Sequence, residues 1–377
     1  MRAISTRTPD EGSSSRWLAL MLRNLVGGLA KRWSRRLARR NEQEEIDTLK
    51  VCLLAHIHHH QQQSAGAWDH HALFTEIEAL DFDEQLTRSA RLLGAQLEHA
   101  FEQIDRHAPR QQAATGEQHA PTEAAAWVDR RVAEQRSPEA AAAVAAEAAA
   151  EAKFAAAAAA AAAAVTAAAT EDALLGALGF APQCRASSAS ADAGDGVFVR
   201  GAAAAGSVVA LYPGDVYAPE QLDDKTVEQL FAGGNDFVIG RYDRTFIDGA
   251  SVGAAPNPLG VGHLINHPPP GTEPNVVQFA FDFSSDDAKA GRGAPPPLPA
   301  HLRYLIPNQF ATSTNSIKHL LVERARRPAV LVPSLVLVTT RAVQDEELFL
   351  NYRLNPKLPA PEWYTSVDPE EDRRRWP

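Results

Sequence analysis

The spacing of apolar residues divides the chain into a helical N-terminal half and a strand-rich C-terminal half. Between residues 46 and 107, apolar side chains recur every three or four positions, which is typical of amphipathic helices. We therefore predict at least two helices that pack together in this region. Two apolar faces follow the spacing: Leu73, Ile77 and Leu80 form one, and Leu93, Leu97, Phe101 and Ile104 form the other.

From about residue 170 the pattern changes. A short helix that Gly179 can terminate comes first, and short runs rich in β-branched and aromatic residues follow between turns. No alternation of strand and helix is visible, so the pattern predicts several small sheets and an α+β fold. The predicted strands are 197–200, 207–212, 236–240, 245–248, 276–283, 330–340 and 347–352.

Composition divides the chain further, into five parts. They are a basic amphipathic segment (1–45), a helical region (46–135), an Ala-rich low-complexity linker with coiled-coil or helical character (136–169), a strand-rich domain (170–355) with a mobile polar insert (284–300), and a flexible tail (356–377). The basic segment is open to two interpretations, an organelle-targeting or membrane-surface helix and a helix docked on the protein itself. The linker is too poor in large apolar residues to be interpreted as a membrane span.

Charge and cysteine content restrict the function classes. The formal net charge of the 377 residues is -10, which disfavours direct nucleic-acid binding and is compatible with a basic peptide substrate. Only two cysteines occur, so disulfide frameworks and Cys-rich zinc clusters are excluded, and we expect an intracellular protein of the nucleus or cytoplasm. His56 and His60 lie one helical turn apart, but the adjoining glutamines favour biased composition over a metal site. The chain contains no run of 18 or more strongly apolar residues, so we predict no transmembrane span.

Two short segments carry candidate chemistry. Gly194-Asp195-Gly196 precedes a strand, where two glycines let the backbone approach a ligand closely, although a plain turn has the same pattern. Asn266-His267 follows an apolar Leu-Ile pair, and an Asn there needs partners for its amide. That Asn is either a ligand-binding residue or the cap of a turn that the following prolines rigidify.

The segments GVGHLINHPPPGTEPN (260–275) and DEELFLNY (345–352) together resemble the two signature motifs of the SET-domain protein-lysine methyltransferases. Residues 173–354 are most similar to the group called SET domain-containing protein nine, with which the chain also shares the longer spacing from Asn266 to Asn275. The resemblance implies a C-terminal SET domain of several small sheets with a knot-like C-terminal strand.

The resemblance also implies an activity, which is transfer of a methyl group from S-adenosylmethionine to a lysine of a protein substrate, without a metal. In the family, the positions of Gly194, Asp195, Gly196, Asn266 and His267 bind the cofactor. Those of Tyr212 and Tyr352 line the lysine channel and are catalytic. The alternative is a SET-shaped module that has lost transfer and acts as a binding scaffold.

The sequence departs from the usual SET motif in two places, and two aromatic residues of the tail lie beyond the motif. Gln278 stands where many SET enzymes have a channel tyrosine, and Arg353-Leu354 follow Tyr352 where a second aromatic residue is common. These departures favour a channel with fewer aromatic walls. Trp363 and Tyr364 in the tail are candidates for a cover over the site, and a flexible acidic end is the other interpretation of the tail.

Overall fold

A computed structural model describes nine ranges of the chain. They are residues 42–63, 69–107, 167–190, 192–222, 224–231, 234–250, 257–285, 297–311 and 330–376. The predictions for the basic segment, for most of the Ala-rich linker and for most of the polar insert lie outside these residues. Among the described residues, no helix is both long enough and apolar enough to cross a membrane.

Within the described residues between 42 and 107 there are three helices: α1 (Glu42–Gln63), α2 (His70–Ala79) and α3 (Phe82–His107). The Asp69 side chain accepts hydrogen bonds from the main-chain nitrogens of His71 and Ala72, which caps the start of α2. The apolar faces predicted from the sequence are buried, Phe101 completely, except that Leu80 is only partly buried. The histidine-rich stretch forms the C-terminal part of α1.

A further helix, α4, includes residues 167–178 and ends as predicted at Gly179, which has a positive φ of 82°. The strands that follow are β1 (Phe180–Ala186), β2 (Asp195–Ala203), β3 (Val208–Leu211), β4 (Gly214–Tyr217), β5 (Val238–Gly240), β6 (Phe246–Asp248), β7 (Val276–Ser284), β8 (Asn308–Phe310), β9 (Val330–Thr339) and β10 (Val343–Gln344). Two short helices complete the set, α5 (Asp224–Leu230) and α6 (Pro369–Arg375).

The strands form three small sheets, as the sequence predicts, with the orders β1-β2-β10, β3-β9-β7 and β5-β6-β4-β8. All pairings are antiparallel except that of β4 with β8. The fold is therefore mixed α+β, with helices in the N-terminal half and strands in the C-terminal half. The sequence pattern missed β1, β4, β8 and β10.

One hydrophobic core connects the helices to the sheets. The ring of Phe101 on α3 stacks on that of Phe283 on β7, with 6.0 Å between ring centroids. Between α3 and β3, the Gln96 side chain donates to the main-chain oxygen of Gly206 at 3.0 Å and accepts from the main-chain nitrogen of Val208 at 2.9 Å. The N-terminal helices thus pack directly on the strand-rich part.

The last residues also contact the fold. The sequence predicts a flexible tail from residue 356, whereas in the structure α6 forms near its end. Asp368 caps α6 by accepting hydrogen bonds from the main-chain nitrogens of Glu370 and Glu371. Asp372 is only 2% exposed, so α6 packs against the rest of the protein. The tail therefore has a defined position near the candidate site.

Candidate functional site

The segment 345–352 crosses between two parts of the chain that are remote in sequence. Glu347 bridges Phe198 on β2, while Phe349 bridges Asn266 and Leu350 bridges Val276. The sequence predicts a continuous strand here. The segment instead forms single bridges because its partners change along its length, and it brings β2 and residues 266–276 together. We call it the crossing segment.

Asn275 holds the crossing segment in place. Its side-chain nitrogen donates to the main-chain oxygen of Glu347 at 2.7 Å, and its side-chain oxygen accepts from the main-chain nitrogen of Phe349 at 2.7 Å. Because Asn275 is 1% exposed, no water competes for these bonds. A buried amide therefore fixes the position of the crossing segment.

The Glu347 carboxylate holds the other side of this segment, next to Gly196. It accepts hydrogen bonds from the hydroxyl of Ser187 at 2.6 Å and from the main-chain nitrogen of Ser188 at 2.7 Å. A Cβ atom on Gly196 would overlap the Glu347 carboxylate. The second glycine of the Gly194-Asp195-Gly196 motif is thus required by this close approach, whatever else the motif binds.

Asn266 connects the crossing segment to the glycine motif. Its side-chain nitrogen donates to the main-chain oxygen of Asp195 at 3.0 Å, and its main-chain oxygen accepts from the nitrogen of Leu350 at 2.9 Å. Among the described residues, no hydrogen bond to the Asn266 side-chain oxygen is formed. That oxygen can accept a hydrogen bond from a ligand such as an ammonium group.

His267 joins the crossing segment to the tail. Its Nδ1 accepts from the main-chain nitrogen of Tyr352 at 3.3 Å, and its Nε2 donates to the main-chain oxygen of Thr365 at 2.8 Å. These partners require the neutral imidazole with its proton on Nε2. Burial lowers the pKa of His267, outweighing the opposite effects of Thr365, Asp372 and Leu350, so the ring is neutral at pH 7.

Of the two candidate catalytic tyrosines, Tyr212 is buried and Tyr352 is partly buried, and each hydroxyl donates to a main-chain oxygen. Tyr352 donates to Ile265 at 3.0 Å and Tyr212 donates to Phe237 at 2.8 Å. Burial, with a smaller effect of Asp236, raises the pKa of Tyr352 to about 12. Burial also raises the pKa of Tyr212, and neighbouring Tyr352 adds to the shift. Both phenols are therefore protonated at neutral pH.

Aromatic residues of the tail pack on the site. The ring of Tyr364 lies 4.5 Å from that of His267, and the ring of Trp363 lies 6.1 Å from that of Tyr352 in an edge-on arrangement. The Tyr364 hydroxyl also accepts from the main-chain nitrogen of Leu354 at 3.1 Å. These contacts favour the cover interpretation of the tail over a flexible end.

All seven site residues predicted from the sequence fall in described ranges. Hydrogen bonds join Asp195 of the glycine motif to Asn266, and Tyr352 to the adjacent residue His267. Tyr212 is close enough to Tyr352 for the two phenols to interact electrostatically. Gln278 lies on β7 opposite Leu337 in the sheet register and is partly buried.

Sequence reasoning did not single out Glu347 and Asn275. Both belong to the quoted motifs, yet nothing in the sequence indicates that their partners are main-chain groups and serines.

The part of the chain that the structure describes also gives no candidate set of metal ligands. Within the described ranges, no three His, Cys, Asp or Glu residues are grouped so that they could hold a metal. Nδ1 of His56 instead donates to the main-chain oxygen of Cys52 at 2.7 Å.

Comparison of the chain with family models gives no match, and comparison with curated proteins gives none either.

Proposed function

We propose that the protein is an S-adenosylmethionine-dependent protein-lysine N-methyltransferase of the SET type. One observation carries the proposal. The crossing segment joins β2 to residues 266–276, so that Asn266, whose side-chain oxygen accepts no hydrogen bond from the described residues, and the partly buried Tyr352 lie in one hydrogen-bonded unit. A segment that bridges two remote parts of the chain supports the proposal, because the sequence resemblance implies a knot-like C-terminal strand.

The residues present suit the cofactor. The free Asn266 oxygen fits the ammonium group of the methionine part, and Gly194, with a positive φ of 70° and open space around its Cα, lets the backbone beside Asp195 approach that part closely. The Tyr364 ring on His267 offers an aromatic surface to the adenine. When bound, S-adenosylmethionine supplies an electrophilic methyl group on a positively charged sulfur.

The roles of the chain's own residues follow from their burial. A lysine amine has a reference pKa near 10.4, so its deprotonation at pH 7 costs about 4 to 5 kcal/mol. A buried channel disfavours the charged amine and offsets much of this cost. Because both phenols remain protonated, Tyr212 and Tyr352 do not act as phenolate bases. They would position the neutral amine, whose lone pair would form the new N–C bond while the bond between the methyl carbon and sulfur breaks and its electron pair stays on the sulfur. The methylated amine would then release its extra proton to solvent.

The test combines cofactor binding with methyl transfer. Wild-type protein is titrated calorimetrically with S-adenosylmethionine and then incubated with a tritium-labelled cofactor and a mixed protein extract. Tyr352→Phe is expected to keep the cofactor affinity and to lose most of the transfer, because only the hydroxyl that aligns the amine is removed. Tyr304→Phe is the control, since its hydroxyl binds Asp105 at 2.9 Å on an exposed surface.

The second candidate function is a SET-shaped binding module without transfer. It is favoured by the hydroxyls of Tyr212 and Tyr352, which already donate to main-chain oxygens as structural tyrosines do. Cofactor binding without incorporated label, unchanged by Tyr352→Phe, would support this module. Equal loss of cofactor binding in Tyr352→Phe and Asn266→Ala would contradict the proposed division of roles.

A further inference from the structure

Arg353, the residue after Tyr352, forms a buried ion pair with the N-terminal half of the chain. Its Nη1 and Nη2 atoms donate to the two carboxylate oxygens of Asp47 on α1, at 2.6 and 3.0 Å. The side chains of Arg353 and Asp47 are 8% and 5% exposed. Two parallel bonds between a guanidinium and a carboxylate fix their relative orientation as well as their distance.

Two further residues complete this group. Nε of Arg353 donates to Glu371 on α6 at 3.0 Å, and the Tyr242 hydroxyl donates to Asp47 at 2.7 Å. We call Asp47, Tyr242, Arg353 and Glu371 the arginine cluster. Burial alone would raise the pKa of Asp47, but the charge and hydrogen bonds of Arg353 outweigh burial and lower it. Asp47 is therefore ionised at neutral pH, and the cluster remains charged and paired.

The cluster fixes an uncommon backbone conformation beside the candidate catalytic residue. Arg353 has φ of 47°, in the left-handed region, which costs a non-glycine residue about 1–3 kcal/mol and persists only where its surroundings hold it. The flanking contacts supply that support. The main-chain nitrogen of Arg353 donates to the Asn351 side chain at 3.1 Å, and its oxygen accepts from Trp376 at 2.6 Å.

Helix α6, which supplies Glu371, also contacts Tyr364, one of the two tail aromatic residues that pack on the site. The Asn351 amide donates to Glu371 at 3.1 Å, so both neighbours of Tyr352 are tied to α6. The next residue of α6, Asp372, accepts from the Tyr364 hydroxyl at 3.3 Å. Tyr364 in turn packs against His267 with its ring tilted by 36°. A continuous set of contacts thus leads from Asp47 on α1 to the residues around Tyr352.

We propose that Asp47 is a positioning residue. By holding Arg353, and α6 through it, Asp47 fixes the backbone of Tyr352 and keeps Trp363 and Tyr364 packed over His267. The N-terminal helical region then contributes to the site, and its ion pair with Arg353 affects the kcat of the methyl transfer. This last consequence rests on the proposed function. The hydrogen-bonded arrangement itself does not.

A purely structural role is the rival explanation, because removal of one partner from a buried ion pair costs about 3–5 kcal/mol of stability on its own. The control must therefore lose comparable stability without touching the cluster. Leu93→Ala meets this need: Leu93 is fully buried on α3, and such a truncation costs about 2–5 kcal/mol. Asp47→Asn and Leu93→Ala are compared with the wild type in the full-length protein, at a temperature where all three are folded.

Hydrogen exchange read by mass spectrometry is the first measurement, since it needs no activity. Asp47→Asn is expected to accelerate exchange in peptides covering residues 350–367 well beyond Leu93→Ala. Tyr242→Phe, which removes one bond to Asp47 and leaves the ion pair intact, should shift exchange in the same direction by less. If Asp47→Asn and Leu93→Ala exchange equally over residues 350–367, Asp47 contributes only global stability and the proposal is overturned.

Kinetics supply the second measurement. Asp47→Asn should lower kcat about tenfold relative to Leu93→Ala, equivalent to about 1.4 kcal/mol, while the cofactor Kd changes less than about threefold. Asp47→Glu, which retains the charge, should recover part of the kcat. Faster local exchange with unchanged kcat would overturn the role in positioning Tyr352. Absence of methyl transfer by the wild type would overturn the proposed function and leave the exchange test of the cluster valid.

Discussion

The side-chain nitrogen of Asn266 lies 3.0 Å from the main-chain oxygen of Asp195, and this bond joins the glycine motif to the crossing segment. Among the described residues, the Asn266 side-chain oxygen accepts no hydrogen bond. In the proposed function that oxygen binds the ammonium group of the cofactor. Substitution of Asn266 therefore tests the proposed cofactor contact.

Asn266→Ala is expected to weaken S-adenosylmethionine binding by about 10- to 100-fold, since a hydrogen bond to a charged group contributes about 1.5–3 kcal/mol. Calorimetric titration measures this loss. The control is Asn235→Ala, which removes an amide that contacts Asp248 at 2.9 Å and should leave the cofactor affinity within about threefold. Equal affinity in wild type and Asn266→Ala would remove Asn266 from the cofactor site.

Gly196→Ala is expected to destabilise the protein by about 1–3 kcal/mol, because the new methyl group overlaps the Glu347 carboxylate, which two serines hold. Urea denaturation followed by circular dichroism measures the change. Gly176→Ala is the matched control: no atom lies within 4 Å of the added Cβ, and alanine favours the helical conformation of α4. That variant should be neutral or more stable, and a Gly196→Ala protein as stable as wild type would contradict the close approach.

Asn275→Ala is expected to lower the free energy of unfolding by about 2–5 kcal/mol, since it leaves the Glu347 oxygen and the Phe349 nitrogen buried without partners. Asn355→Ala serves as the control, because Asn355 accepts a hydrogen bond from Lys357 in a more exposed turn. Both are compared by denaturant titration. A loss no greater than that of Asn355→Ala would mean that the crossing segment does not depend on this amide.

The pH dependence of stability should include a contribution from His267. Because burial lowers its pKa below that of the unfolded chain, the unfolded state binds more protons in acid. At pH values above the pKa of His267 in the unfolded state, near 6.5, neutral His267 makes its full contribution to the free energy of unfolding. That contribution is lost as the pH falls through the lower pKa of the folded state. Protonation of Nδ1 also removes the acceptor for the Tyr352 nitrogen.

His267→Gln is therefore expected to flatten the fall in unfolding free energy between pH 7 and pH 5, by up to about 1.4 kcal/mol per pH unit. Denaturant titrations at four or five pH values measure the slope. His99→Gln is the control, because His99 lies on the exposed side of α3 and outside the site. An identical slope in wild type and His267→Gln would show that His267 does not titrate in this range.

Sequence patterns were most informative where the structure is periodic. The three- and four-residue spacing on α3 predicted the buried face around Leu93 and Phe101, and strands β7 and β9 were predicted nearly to their ends. The pattern failed for β4 and β8, because Gly214-Asp215 and Asn308-Gln309 leave these short strands without an apolar run. It also failed for the tail, where the order of α6 depends on contacts with residues far away in sequence.

The candidate site was predictable in part. Motif resemblance brought the glycine motif, Asn266 and Tyr352 into one hypothesis, and the structure brings those residues together. Their roles remain predictions. The arginine cluster was not foreseeable, because Asp47 and Arg353 are 306 positions apart in the sequence. An ion pair over that separation has no local pattern.

The packing of α3 on the sheets has a practical consequence for anyone preparing a shorter version of the protein. A fragment that starts at residue 167 lacks Phe101 and Gln96. It would expose the face of the Phe283 ring on which Phe101 stacks, and it would leave the main-chain nitrogen of Val208 without the Gln96 side-chain oxygen as acceptor. Such a fragment would aggregate on expression whether or not its motifs are intact. Truncations intended to keep the strand-rich part soluble should begin before Glu42.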